Sequence, residues 1–145
     1  MIEQLNVSKT IAANADQVWA AISGIGGLER WFPIIDECTV FGVGEGATRI
    51  MTLTDGAKIK DHIDVIDHQR QCLRYTRTES PFPVQSYVGT VEVRKINDAD
   101  TELSWTLEID VQEDQRDALA ELLCNALTEG ILGLERDMQQ PQLDC

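Results

Sequence analysis

The stretch DQRDALAELLCNALTEGILGLERDM, Asp114–Met138, decides the fold. Leu119, Leu122, Leu123, Ala126, Leu127, Ile131, Leu134 and Met138 recur at steps of three and four. That spacing makes one apolar stripe on a helix of about seven turns. Asp114 reads as the N-cap, and the acidic first turn suits the positive helix end. Gly130 and Gly133 fall within the stripe, each at a cost of about 1 kcal/mol in helix propensity. Small residues there either let the helix approach its support closely or leave room for a ligand. A stripe this long needs a broad apolar surface to lie on.

The sequence before it supplies that surface. From residue 36 the apolar period is two, the mark of half-buried strands. Glu37–Phe41 reads as a strand and Val43-Gly44-Glu45-Gly46 as a turn, after which Arg49, Met51 and Leu53 line one side of the next strand. Asp55-Gly56 is a hairpin signal. Ile59, Asp61, Ile63 and Val65 share a parity, and so, after a turn at 67–70, do Leu73, Tyr75 and Arg77. Ser80-Pro81-Phe82-Pro83 reads as an irregular loop, because two prolines do not both fit a central strand. Tyr87, Gly89, Val91 and Val93 form a further alternation, and Leu103, Trp105, Leu107 and Ile109 the cleanest one. Six strands joined by hairpin-length connections make an antiparallel meander.

At the start, Leu5, Val7 and Ile11 face one way and Asn6, Ser8 and Thr10 the other, as in a strand with one buried face. Asn14, with Gln17 three residues on, opens a helix around Val18, Trp19 and Ile22 that stops at Gly24. Gly24-Ile25-Gly26-Gly27 joins this helix to a second short one, Leu28–Phe32, ended by Pro33, and reads as a hinge. The expected fold class is α+β. A seven-stranded curved antiparallel sheet wraps around the long C-terminal helix, with two short helices between the first and second strands. Residues 1–139 are expected to form one domain and 140–145 a flexible tail.

With 145 residues, the chain is long enough to bury a core without disulfides or metals. Its formal net charge of −13 argues against nucleic acid and anionic membrane surfaces as partners. No apolar run reaches the length that spans a bilayer. No basic start followed by an apolar block marks a signal peptide, and Cys38, Cys72, Cys124 and Cys145 show no CxxC spacing. A cytoplasmic location with reduced thiols is expected.

Several segments resemble the SRPBCC superfamily, the helix-grip fold of START domains, polyketide cyclases and pollen-allergen proteins. They are Val18-Trp19-Ala20-Ala21-Ile22, Leu28-Glu29-Arg30-Trp31-Phe32-Pro33, Lys60-Asp61-His62-Ile63, Ser86-Tyr87-Val88-Gly89-Thr90-Val91 and the closing helix. The likeness covers residues 1–139 and is closest to small polyketide-cyclase-like members. It implies a deep cavity between sheet and helix that takes apolar or amphipathic small molecules. It is more distant from the plant abscisic-acid receptors. Their ligand-pairing Lys is matched by Asp36, their gating loop by Thr54-Asp55-Gly56-Ala57-Lys58, and their latch by Phe82-Pro83-Val84. Hormone reception is therefore not implied.

Within such a cavity, parity turns Arg49, Asp61 and Arg77 inward with Met51. Buried charges must pair or stay wet. The three are read either as a polar anchor for a carboxylate, phenol or carbonyl, or as a structural Arg–carboxylate group. Tyr75, Tyr87 and Trp105 combine bulk with one polar atom each, suited to a ligand or to plain core packing. The resemblance places the Tyr87 position at the pocket. Leu123 and Leu127 belong to the stripe and are expected to floor the cavity. Trp31, Phe32, Asp55, Gly56 and Phe82 are expected at its mouth.

The residues thus favour a carrier or sensor for an apolar or amphipathic small molecule such as a lipid, polyketide or aromatic compound. A cyclase, dehydratase or aromatase is the alternative, with Asp61 as a general base raised in pKa by burial and Arg49, Arg77 or Tyr87 polarising a carbonyl. A protein-interaction module using the cavity rim is a third reading. His62, expected to face outward, and His68 make no metal set with any cysteine, and no HExxH, nucleotide or nucleophile-elbow motif occurs. Neither cofactor nor metal is expected, and the sequence sets no oligomeric state.

Overall fold

The computed structural model describes residues 1–139. The strands are β1 (Ile2–Ile11), β2 (Ile35–Phe41), β3 (Thr48–Leu53), β4 (Lys58–Asp67), β5 (Cys72–Glu79), β6 (Val84–Lys95) and β7 (Thr101–Val111). Helix α1 (Ala15–Ser23) follows β1, and α2 (Arg116–Gln139) follows β7. All seven strands join one antiparallel sheet in the order β1-β7-β6-β5-β4-β3-β2. The meander from β2 to β7 is continuous, and β1 closes onto β7. This is the expected helix-grip α+β architecture. The tail expected at 140–145 lies outside the described residues.

Local chemistry explains the short elements. The Asn14 side chain accepts hydrogen bonds from the backbone N–H groups of Asp16 and Gln17 at 2.9 and 3.3 Å, capping α1. Gly24 ends the helix, its N–H returning to the Ala20 carbonyl. The second short helix is only a 3-10 turn, Leu28–Arg30. At the start of α2, Asp114 is not the N-cap. It lies within a 3-10 turn, Glu113–Gln115, that precedes the α-helix.

The stripe of α2 packs on the sheet through Leu119, Leu123, Leu127, Ile131 and Leu134, all buried. Leu122 departs from it and is 53% exposed. Gly130 and Gly133 are sites of close approach. A Cβ on Gly133 would run into the Trp31 backbone, and one on Gly130 into the Phe32 ring. Of the two meanings the glycines allowed, contact rather than open space is the one found. In β4 the alternation breaks after Ile63, where the register to β5 shifts at a bulge, so Val65 is turned outward at 38% exposure.

Candidate functional site

Three charged residues meet in a row across the sheet. The register sets Arg49 of β3 opposite Asp61 of β4, and Asp61 opposite Arg77 of β5. Arg49 grips Asp61 Oδ2 with Nε at 3.2 Å and Nη2 at 2.9 Å. Arg77 donates from Nε to Oδ1 at 2.8 Å and from Nη2 to Oδ2 at 3.2 Å. Asp61 is wholly buried and Arg49 nearly so, while the Arg77 side chain keeps 10% of its surface exposed. Arg49 Nη1 is used as well, on the Ile25 carbonyl at 3.1 Å.

Burial by itself would raise the Asp61 carboxyl. The charges of Arg77 and Arg49 and their hydrogen bonds reverse this and hold it below the ordinary carboxylate value. The raised pKa expected of a general base at Asp61 is therefore not found. Both of its oxygens are also occupied. Burial pushes the Tyr75 and Tyr87 phenols up, although the Arg77 charge pulls each back.

Aromatic rings enclose the guanidinium groups. Arg77 lies 4.4 Å from the Tyr87 ring centroid and 5.5 Å from that of Tyr75, and Arg49 lies 5.0 Å from the Tyr75 centroid. Trp105 Nε1 donates to the Tyr75 hydroxyl at 3.1 Å, and the Trp105 ring meets Phe32 edge-on at 5.5 Å. Gly89 faces Tyr75 across the β5–β6 register, and a Cβ there would collide with the phenol. In the sequence Gly89 stands in an alternation and in a segment of the family resemblance, with no role of its own. A glycine inside a strand is a signal of close approach by a neighbour, and it could have been read as such.

Next to these rings lies a cavity of about 40 Å³, room for no more than a few water molecules. Its walls include Met51, Tyr75, Arg77, Tyr87, Trp105, Leu123 and Leu127. Leu28, Ile34, Ile35, Leu53, Ile59 and Ala126 complete the apolar part with Phe32 and Phe82. Leu53 and Ile59 were legible from their parity with Met51 and Asp61. Arg49 and Asp61 are outside the lining, so the row of charges touches the cavity through Arg77. The deep cavity implied by the resemblance is absent from this conformation, because Trp105, Tyr75 and Phe32 occupy the space between sheet and helix.

A surface groove of about 300 Å³ adjoins it, bordered by Thr54, Asp55, Pro81 and Leu122. Ile34, Leu53, Phe82, Leu123 and Ala126 line both spaces. Phe82 stands at the boundary, nearly parallel to the Tyr87 ring with centroids 6.4 Å apart. Of the expected mouth residues, Asp55 and Phe82 border the groove and Phe32 lies deeper, in the cavity wall. Gly56 borders neither space. Trp31 faces elsewhere: its indole N–H donates to Asp137 at 2.9 Å. Among the described residues no group of three or more His, Cys, Asp or Glu side chains is placed to hold a metal ion. His62 is exposed beside Asp64, and His68 accepts the Trp19 indole N–H at 3.0 Å.

A curved antiparallel sheet closed over a long C-terminal helix, with an apolar cavity between them, defines the helix-grip class of ligand-cavity proteins. Residues 3–139 match the family model described as polyketide cyclase / dehydrase and lipid transport, and the chain belongs to that family. Membership makes it a hydrophobic-ligand-binding domain in general terms. Comparison with curated proteins gives no match. Solved structures share the fold. XoxI from Bacillus cereus is 22% identical, with a TM-score of 0.83 over 93% of this chain and 94% of that one. Norcoclaurine synthase from Thalictrum flavum, solved with dopamine and hydroxybenzaldehyde, is 17% identical, with a TM-score of 0.80 over 98% and 90%. Ginseng major latex-like protein 151 from Panax ginseng is 18% identical, with a TM-score of 0.82 over 96% and 99%. No helix of the described residues is long and apolar enough to cross a membrane.

Proposed function

We propose that this protein is a carrier or sensor that takes one apolar or amphipathic small molecule between its sheet and α2. The observation behind this reading is the shared wall of cavity and groove. A 40 Å³ space alone is too small for such a molecule, but a mainly apolar groove of about 300 Å³ shares Ile34, Leu53, Phe82, Leu123 and Ala126 with its wall. Together they fall at the lower end of the usual range for ligand sites, roughly 300–1,000 Å³. A ligand would enter from the groove by displacing Phe82, which has one ring face on Tyr87 and sits in a loop between two prolines. The carrier reading is preferred to the cyclase reading because Asp61 is bound on both oxygens and lies outside the cavity wall.

The test uses N-phenyl-1-naphthylamine, a neutral apolar dye that brightens when desolvated. The protein should bind it saturably, one molecule per chain. Ala126→Trp, which fills the shared wall, should abolish binding while leaving the melting temperature nearly unchanged. Native mass spectrometry followed by denaturing extraction would identify any molecule that co-purifies. Non-saturable dye binding, or binding indifferent to Ala126→Trp, would refute the proposal.

A further inference from the structure

The charges of the buried row do not cancel. Arg49 and Arg77 carry two positive charges and Asp61 one negative, so the group holds a net charge of +1 beneath an apolar cavity. The groups packed against it supply no second acid. The β5 and β6 neighbours are the Tyr75 and Tyr87 phenols, which burial keeps protonated. Helix α2 presents Leu123, Ala126 and Leu127 to the same space. Glu79 shares an outer groove with Arg77 but is exposed and makes no ion pair with it among the described residues.

The donors differ in availability. All three Arg49 nitrogens are engaged, by Asp61 and Ile25. Arg77 uses Nε and Nη2 on Asp61, and among the described residues its Nη1 has no partner. Arg77 is also the charged side chain in the cavity wall, and it borders the outer groove between the ends of β5 and β6. Among the described residues no fully buried side-chain nitrogen or oxygen lacks a partner, so Nη1 is where the 10% exposed Arg77 meets solvent. A row of net positive charge whose one free, solvent-reached N–H pair stands beside an otherwise apolar space selects a ligand that ends in an anion.

We propose that the ligand is an anionic amphiphile, an apolar chain or ring system with a terminal carboxylate, and that Arg77 Nη1 binds the carboxylate while Arg49 only positions Asp61. This rests on the cavity reading above and narrows it to one ligand class. The surface argues the other way. A net charge of −13 attracts cations and repels anions at long range. A preference for an anion must therefore come from the local group.

The experiment compares dodecanoate, dodecan-1-ol and dodecyltrimethylammonium as displacers of the neutral dye from the wild-type protein, at constant ionic strength. One charge-assisted hydrogen bond predicts that dodecanoate displaces at about 10- to 100-fold lower concentration than dodecan-1-ol. The cationic chain should displace less well than the alcohol. In Arg77→Met, which leaves the neutral Arg49–Asp61 pair, the dodecanoate-to-alcohol ratio should fall to about 1. Arg77→Lys should retain part of it. Equal displacement by acid and alcohol in the wild type, or an acid preference that survives Arg77→Met, would overturn the assignment and leave the cavity reading standing. If none of the three chains displaces the dye, the cavity reading fails first. The wild-type comparison alone decides the matter should Arg77→Met not fold.

Discussion

Arg49 Nη1 reaches back 24 residues along the chain to donate to the Ile25 carbonyl at 3.1 Å. Ile25 is buried and has a φ of 59°, a left-handed conformation that is strained for a β-branched residue. The glycines on either side suggested a hinge, but the carbonyl between them is fastened to the central charge row. Replacing Arg49 by Met leaves Asp61 and Arg77 as a neutral pair, removes the donor to Ile25, and leaves Asp61 Oδ2 with the Arg77 Nη2 bond alone. The expected loss is about 2–3 kcal/mol, since buried acceptors lose their partners. For a chain of this size that lowers the melting temperature by roughly 5–12 °C. Thermal unfolding followed by circular dichroism checks it, and a shift under 2 °C would contradict it.

Asp61→Asn should cost more than Arg49→Met at neutral pH. It leaves two buried guanidinium groups facing a neutral amide, and breaking such a group by removing its one acid costs about 3–5 kcal/mol. The difference must also depend on pH. The folded-state pKa of Asp61 lies below its ordinary value of 3.8. Its contribution is therefore complete above that value and is lost as pH falls through the lower, folded one. Urea unfolding of wild type and Asp61→Asn should show a gap that is constant from pH 7 to about 5 and narrows below about 4. A gap that stays constant down to pH 3 would show that Asp61 is not held ionised by its partners.

Gly133→Ala and Gly130→Ala separate two kinds of close contact. Alanine normally improves a helix by about 1 kcal/mol over glycine. At Gly133 the added methyl meets the Trp31 backbone, which cannot swing aside, so α2 has to lift from the sheet. A net loss of about 1–3 kcal/mol is expected, the usual cost of overpacking. At Gly130 the obstacle is the outer end of the Phe32 ring, which can turn, so the loss should be smaller. Phe32 lines the cavity and abuts Trp105, so Gly130→Ala should disturb dye binding more than Gly133→Ala does, relative to their stability costs. Equal stability of Gly133→Ala and wild type, by urea unfolding, would refute the close approach.

The sheet was legible because its inward faces alternate along β3, β7 and, from Tyr87 onward, β6, and the α2 stripe because it keeps helical spacing for most of its length. Parity also turned Arg49, Asp61 and Arg77 inward. It could not show that they stand in one row, since register across strands depends on turns and bulges, such as the one that turns Val65 outward. Nor could it show the division of labour between the arginines, which follows from where the Ile25 carbonyl lies. Trp31 and Phe32 were assigned together to the mouth, but they sit at the end of a 3-10 turn with no repeating period. One faces Asp137 and the other the cavity. The filling of the cavity was illegible because it depends on how three large rings share one volume, and residue types do not determine that.

Trp105 is the ring whose removal tests the filling directly. Its indole takes up space at the cavity wall, packs edge-on against Phe32 and donates to the Tyr75 hydroxyl. Trp105→Ala removes all three interactions, and large-to-small changes of this kind cost about 3–5 kcal/mol. That is a large share of the roughly 5–15 kcal/mol that stabilises a typical domain, so the melting temperature should fall markedly. The same change enlarges the cavity beyond 40 Å³ and frees the Tyr75 hydroxyl as an acceptor within it. Bulky aromatic ligands that the wild type excludes should then bind, and bound dye should return part of the lost stability in proportion to its concentration. The expected pattern is lower stability without ligand, tighter dye binding, and a melting temperature that rises more steeply with dye than in the wild type. Lower stability with unchanged or weaker dye binding would mean that the indole is ordinary core and that the ligand space lies wholly in the outer groove.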